Sequence, residues 1–148
     1  MIEEVYDYLR EYGFSKEEVN SFQDENEEMF FTNLEEIEKN INFLINKELS
    51  KEETLEVIRK DPYMLTVKNN RLDYLEKIYN DILKLNNVEI HKLMINNPDA
   101  YIISPIELEK IISYLKDNNY NIDKIKELIL NNPETINLTL EEFEESYR

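Results

Sequence analysis

The chain contains no cysteine and no tryptophan, and only one glycine, one histidine and four prolines among 148 residues. Without cysteine there can be no disulfide framework, no thiolate zinc cluster and no Cys–His nucleophile pair, a composition that suits a reducing compartment. A single glycine excludes a Gly-rich phosphate loop and removes the turn chemistry that tight β-hairpins depend on. No apolar run approaches the roughly 18 residues of a membrane-spanning helix. The opening Met1-Ile2-Glu3-Glu4 lacks the basic and apolar regions of a signal peptide. A soluble, cytoplasmic protein with no membrane association is therefore expected.

What the chain does have is charge, mostly of one sign. Charged residues make up 34% and the formal net charge is −16, while the hydrophobic fraction of 41% is ordinary for a folded chain. A chain of this length suits one compact domain, 1–148, with a continuous core. Aspartate and glutamate outnumber lysine and arginine by 14 to 4 in residues 1–50, by 9 to 8 in 51–100 and by 10 to 5 in 101–148. Such a field repels phosphate backbones and anionic membranes over about a Debye length and favours basic partners. Two surfaces stand out: the acidic first third, and the locally basic run Arg59, Lys60, Lys68 and Arg71.

Repetition organises the rest. Asn96-Asn97-Pro98-Asp99 returns as Asn131-Asn132-Pro133-Glu134 and, less closely, as Lys60-Asp61-Pro62-Tyr63, so three prolines lie 36 and 35 residues apart. Self-similarity at that period marks stacked supersecondary units. Ile2, Val5, Tyr6, Leu9 and Tyr12 form a helical stripe that Gly13 ends. Ser15 to Glu18 and Ser50 to Glu53 read as capping boxes, and Thr32 to Glu35, Asn86 to Glu89, Ser104 to Glu107 and Thr139 to Glu142 as further helix starts. These signals predict nine helices, near 2–12, 16–25, 33–47, 51–60, 71–85, 88–96, 105–118, 122–131 and 140–147. The connectors at the prolines are partly apolar and should pack against the core, with Asp61, Asn97 and Asn132 ending their helices because the residue before proline is biased to extended backbone. The expected fold is all-α, a curved α-solenoid of helical hairpins about 35 residues long, with repeats near 13–47, 48–85, 86–118 and 119–148.

Proline, an apolar residue three positions later and further apolar residues at heptad intervals resemble the repeat of the mitochondrial transcription termination factor (mTERF) family. Pro62 leads to Leu65, Leu72 and Tyr79; Pro98 to Tyr101, Leu108 and Leu115; Pro133 to Ile136 and Phe143. A first copy has Glu27 in place of proline but keeps Phe30, Ile37 and Leu44, and Gly13-Phe14-Ser15-Lys16-Glu17-Glu18 is similar to the family's entry into its first helix. The resemblance covers nearly the whole chain as about four repeats. It implies a solenoid whose basic concave face holds nucleic acid, for which Arg59, Lys60, Lys68 and Arg71 are the candidate residues here. The net charge of −16 opposes that ligand.

No catalytic constellation is legible. His91 stands alone, and neighbouring carboxylates such as Glu17-Glu18 lie about 100° apart on a helix, which suits solvated faces better than acid–base dyads. Asp24-Glu25-Asn26-Glu27-Glu28 lacks the mid-loop glycine and the spacing of a calcium loop. No metal, cofactor or enzymatic activity is expected. Most aromatic residues fall at core positions, Phe30 among them, with Tyr63 and Tyr120 the better surface candidates. The leading expectation is a non-enzymatic module that binds a protein partner, a basic one, through Glu17, Glu18, Asp24, Glu25, Glu27, Glu28, Glu35 and Glu36, in one version by mimicking nucleic acid. The alternative is direct DNA or RNA binding.

Overall fold

The computed structural model describes residues 1–146. They form nine α-helices, and no strand occurs among the described residues. The chain divides into two compact units, Met1–Val67 and Lys68–Arg148. The last residue of the helix expected at 140–147 lies outside the described residues.

The first unit contains α1 (Glu3–Tyr12), α2 (Lys16–Glu25), a 3-10 turn (Glu27–Phe30), α3 (Leu34–Ile45), α4 (Lys51–Lys60) and a second 3-10 turn (Pro62–Leu65). Local chemistry sets most of these boundaries. Ser15 accepts from the Glu18 N–H while the Glu18 carboxylate accepts from the Ser15 N–H, and Ser50 with Glu53 repeats the arrangement. At α3 the cap lies one residue later than the expected Thr32. Asn33 accepts from the Glu36 N–H, whereas Thr32 is buried and donates its hydroxyl to the Glu28 carbonyl. Two hydroxyl or amide side chains compete for that start, and the one already satisfied by the preceding turn does not cap. Val5, Leu9, Val19, Ile37, Ile41, Leu44 and Ile58 form the centre of this core, fully enclosed, each contributing about 1.5–3 kcal/mol.

The second unit contains α5 (Asn69–Lys77), a π-turn (Ile78–Ile82), α6 (Asn87–Asn96), α7 (Pro105–Asp117), α8 (Ile122–Asn131), a 3-10 turn (Pro133–Asn137) and α9 (Leu140–Ser146). Leu75, Leu83, Leu108, Ile111, Ile125, Ile129 and Phe143 are buried together with two whole tyrosines, Tyr79 and Tyr101, whose rings meet edge to face at 5.2 Å. Both hydroxyls are satisfied: Tyr79 donates to the Ala100 carbonyl and Tyr101 to Glu76. Asn86 with Glu89 and Thr139 with Glu142 form complete capping boxes. Ser104 caps α7 through the Glu107 N–H, but the Glu107 carboxylate turns away to the Leu140 N–H and to Lys110, so that box is only half made.

Two regularities of the repeat emerge. Left-handed backbone recurs at Gly13, Glu48, Lys84 and Asn119, spaced 35, 36 and 35 residues apart. The corners recur likewise, and the first of them, lacking proline, still forms the 3-10 turn at Glu27. Leu44 and Leu115 each precede their left-handed residue by four positions, whereas Tyr79 precedes Lys84 by five. The extra residue falls in the π-turn, where Leu83 bonds to Ile78 across five residues. The additional residue of this repeat is accommodated there as a bulge, instead of rotating everything beyond it by roughly 100°.

Candidate interaction surface

The corners place the surface residues. The Asx residue before each of the first three corners accepts from the N–H two positions on: Asn26 from Glu28, Asp61 from Tyr63 and Asn97 from Asp99. Where that residue is asparagine its amide also donates to the following corner. Asn26 reaches the Pro62 carbonyl at 3.2 Å and Thr66 at 2.8 Å, and Asn40 on α3 adds bonds to the carbonyls of Leu65 and Val67. Asn97 does the same within the second unit, reaching the Pro133 carbonyl and Asn137. Asn97 and Pro98 thus serve the stack.

Of the eight carboxylates singled out from the sequence, Glu17, Asp24, Glu25, Glu27, Glu28, Glu35 and Glu36 are exposed on α2, its corner and the first turn of α3. Within that exposed set Glu35 pairs with Lys39 at 3.7 Å and Glu25 accepts from the Ser21 hydroxyl, whereas Glu18 is only half-exposed. Its carboxylate meets the Arg59 guanidinium at 2.5 Å and closes the α2 capping box. The Ser15 N–H, working against a smaller desolvation effect, and then Arg59 hold its carboxyl below the usual carboxylate range. The unit as a whole carries 18 Asp and Glu against 7 Lys and Arg.

The basic run does not form a free patch in the same way. Arg59 is committed to Glu18 and Glu56 and lies over the Phe14 ring, whereas Lys60 beside it is exposed. Both belong to the first unit. In the second unit Lys68 occupies the start of α5 without a side-chain cap bond, and Arg71 donates to the Ile102 carbonyl. Lys126 is held by Glu89 at 2.9 Å. Burial alone would raise Glu89, but the Asn86 N–H and Lys126 outweigh it and keep it low.

Other features offer little chemistry. No group of three or more His, Cys, Asp or Glu is placed to hold a metal ion among the described residues. An open groove of about 460 Å³ in the second unit is lined by Tyr74, Ile106, Glu109, Lys110, Ser113, Tyr114, Asp117 and Leu140. Burial pushes the Tyr79 and Tyr101 phenols far up, so neither ionises near neutrality.

Sequence reasoning misplaced one group. Phe30, expected in the core, is 51% exposed and the neighbouring Phe31 84%, while Met29 takes the buried place. In the second corner the residue matching Phe30 is Leu65, which is fully buried. The heptad spacing is the same for both, so spacing could not separate them. Tyr63 is exposed as expected, and Tyr120 is half-buried.

Similarity to known proteins agrees with this architecture. Transcription termination factor 3, mitochondrial, of Drosophila melanogaster is 22% identical over 127 residues, covering 85% of this chain and 36% of that protein. The chain therefore spans well under half the length of that relative. No helix among the described residues is long and apolar enough to cross a membrane. The mTERF family profile matches residues 1–85, more than half of a chain whose helices are mostly side-chain-capped and whose first three corners close on an Asx residue, and the chain belongs to the mTERF family.

Proposed function

We propose that this chain is a non-enzymatic mTERF-family module that binds a basic protein partner through the carboxylates of its first unit, in competition with nucleic acid. The observation that carries this reading is the exposure of Glu17, Asp24, Glu25, Glu27, Glu28, Glu35 and Glu36 in one stretch of two helices and a corner, where the exposed lysines are Lys16 and Lys39, the latter paired with Glu35 at 3.7 Å. The relative's name places that protein in transcription termination, so the partner sought is one that handles nucleic acid. Carboxylates presented along a rigid repeat are suited to meet lysines and arginines that otherwise hold phosphates, and to raise the rate of encounter with them.

A second reading, direct binding of DNA or RNA, is supported by family membership and by that same name. Its candidate residues are Arg59 and Lys60 in the first unit, of which Arg59 is already paired with Glu18 and Glu56, or Lys68 and Arg71 in the second, and it works against the net charge of −16. One experiment separates the two. The purified chain is added at low salt to labelled duplex, single-stranded DNA and RNA, alone and with a basic nucleic-acid-binding protein from the same cell. Release of the probe from that protein, weakening as salt rises, supports the first reading. A shift of the probes by the chain alone, with no release, overturns it in favour of the second.

A further inference from the structure

The first corner differs from every later one. Buried residues occupy the position three after the corner start in the other repeats: Leu65, Tyr101 and Ile136, all within 1% of full burial. Phe30 holds that position in the first repeat and stands half in solvent, with Phe31 beside it almost wholly exposed. Two adjacent exposed rings are costly to leave in water, and scattered single apolar residues are the norm on monomer surfaces. Their setting is charged: Glu27 and Glu28 lie on the same turn, and Glu35 and Glu36 open the helix that follows, all exposed. Aromatic residues inside a polar rim are the usual composition of an interface hot spot.

We infer that Phe30 and Phe31 are the apolar anchor of the first unit's binding surface, and that their occupant is a segment of a partner protein carrying apolar side chains between lysines or arginines. This rests on the reading of the carboxylates given above. The rings supply desolvated contact area, and the four glutamates select the charge of what covers them. An anionic or purely apolar segment fits the rings but not the rim; a purely basic one fits the rim but leaves the rings in water.

The test uses two dansyl-labelled peptides of equal charge, one alternating leucine and lysine blocks as an amphipathic helix and one in which the leucines are serine, with the intact 148-residue chain. The leucine-containing peptide should bind at least tenfold more tightly. Phe30→Ser combined with Phe31→Ser should remove that advantage while changing affinity for the serine peptide less than twofold. Phe31→Ser alone, at the more exposed ring and least able to disturb folding, should remove about half of the advantage on a logarithmic scale. Equal binding of the leucine peptide to wild type and both variants overturns the anchor. The carboxylate reading then still stands if Glu27→Gln, Glu28→Gln, Glu35→Gln and Glu36→Gln together abolish binding of the serine peptide. Failure of both peptides to bind overturns the two readings together. Sedimentation of the wild-type chain as a dimer that Phe31→Ser converts to a monomer would assign the rings to a second copy and overturn the partner.

Discussion

Asn97 donates its side-chain amide to the carbonyl of Pro133, 36 residues ahead, at 2.8 Å, and its carbonyl oxygen closes the turn at its own corner. One side chain therefore shapes one corner and ties it to the next. Replacing Asn97 by alanine leaves buried polar groups without their partner and should cost about 1–3 kcal/mol in urea unfolding. Asn97→Asp is the informative comparison, since a carboxylate keeps the turn and loses the donors. If the aspartate variant is as stable as wild type, the tie between corners contributes nothing.

The left-handed positions give a second expectation. Glu48 at φ 64° and Lys84 at φ 57° carry side chains where only glycine is free of the Cβ penalty. Each change to glycine should stabilise by about 0.5–1 kcal/mol after glycine's own entropy is set against it. Asn119→Gly should gain less, because asparagine tolerates this conformation. Thermal unfolding of the three variants ranks them directly.

Deleting Asp81, an exposed residue of the π-turn, should convert that turn to regular α-helix and leave a folded chain. Deleting Ser113 from the interior of α7 removes an equally exposed residue, yet turns Tyr114 and the buried Leu115 by roughly 100° relative to the residues before them. Circular dichroism should show a cooperative melt for the first deletion and a large loss of stability for the second. Equal damage from both would reject the bulge as the site of the additional residue.

These contrasts mark what a sequence can carry. The period, the capping boxes and the proline corners are local, and helices such as Lys16–Glu25, Lys51–Lys60 and Ile122–Asn131 were legible to the residue. The proline intervals, 36 and 35 residues, already differ by the one residue that the structure places in the π-turn. The choice of Asn33 over Thr32 as a cap was hidden, because it depends on which side chain the preceding turn had already used. The Arg59–Glu18 pair joins residues 41 apart, and nothing in either neighbourhood announces the other. Phe30 shares its heptad position with Leu65, and only the assembled unit distinguishes a covered corner from an open one. The proposed surface was the least legible for that reason: composition located its charge, while the exposure of Phe30 and Phe31 depends on packing.

The Glu18–Arg59 pair has a pH signature. Because the Ser15 N–H first, and then Arg59, hold Glu18 lower in the folded chain than the ~4.3 of a free glutamate, these contacts of the carboxylate stabilise fully above that unfolded value. The contribution disappears as pH falls through the lower, folded value. Glu18→Gln should therefore be less stable than wild type by about 1 kcal/mol at neutral pH, with the difference shrinking below pH ~4. A difference that stays constant from pH 7 to pH 3 would assign the loss to packing instead of to the charged carboxylate's bonds with Ser15 and Arg59.

Exposed carboxylates that serve binding should be a burden on the folded chain, and this separates function from structure. With 18 acidic against 7 basic residues in the first unit, self-repulsion destabilises the compact state, most of all at low salt, where the screening length is about 30 Å at 0.01 M. Raising salt to 0.15 M, where it falls to about 8 Å, should raise the melting temperature. Neutralising Glu27, Glu28, Glu35 and Glu36 to glutamine should also raise it at low salt and flatten its salt dependence. The helix starts oppose this in part: Glu27 and Glu28 open the 3-10 turn and Glu35 and Glu36 open α3, where negative charge is favourable by about 0.3–1 kcal/mol per residue at most. If repulsion outweighs that local gain, the four-glutamine variant is more stable than wild type and yet loses its basic partner, the trade expected of residues kept for binding. If the variant is instead less stable at every salt concentration, the four carboxylates serve helix initiation, and the surface loses its strongest claim to function.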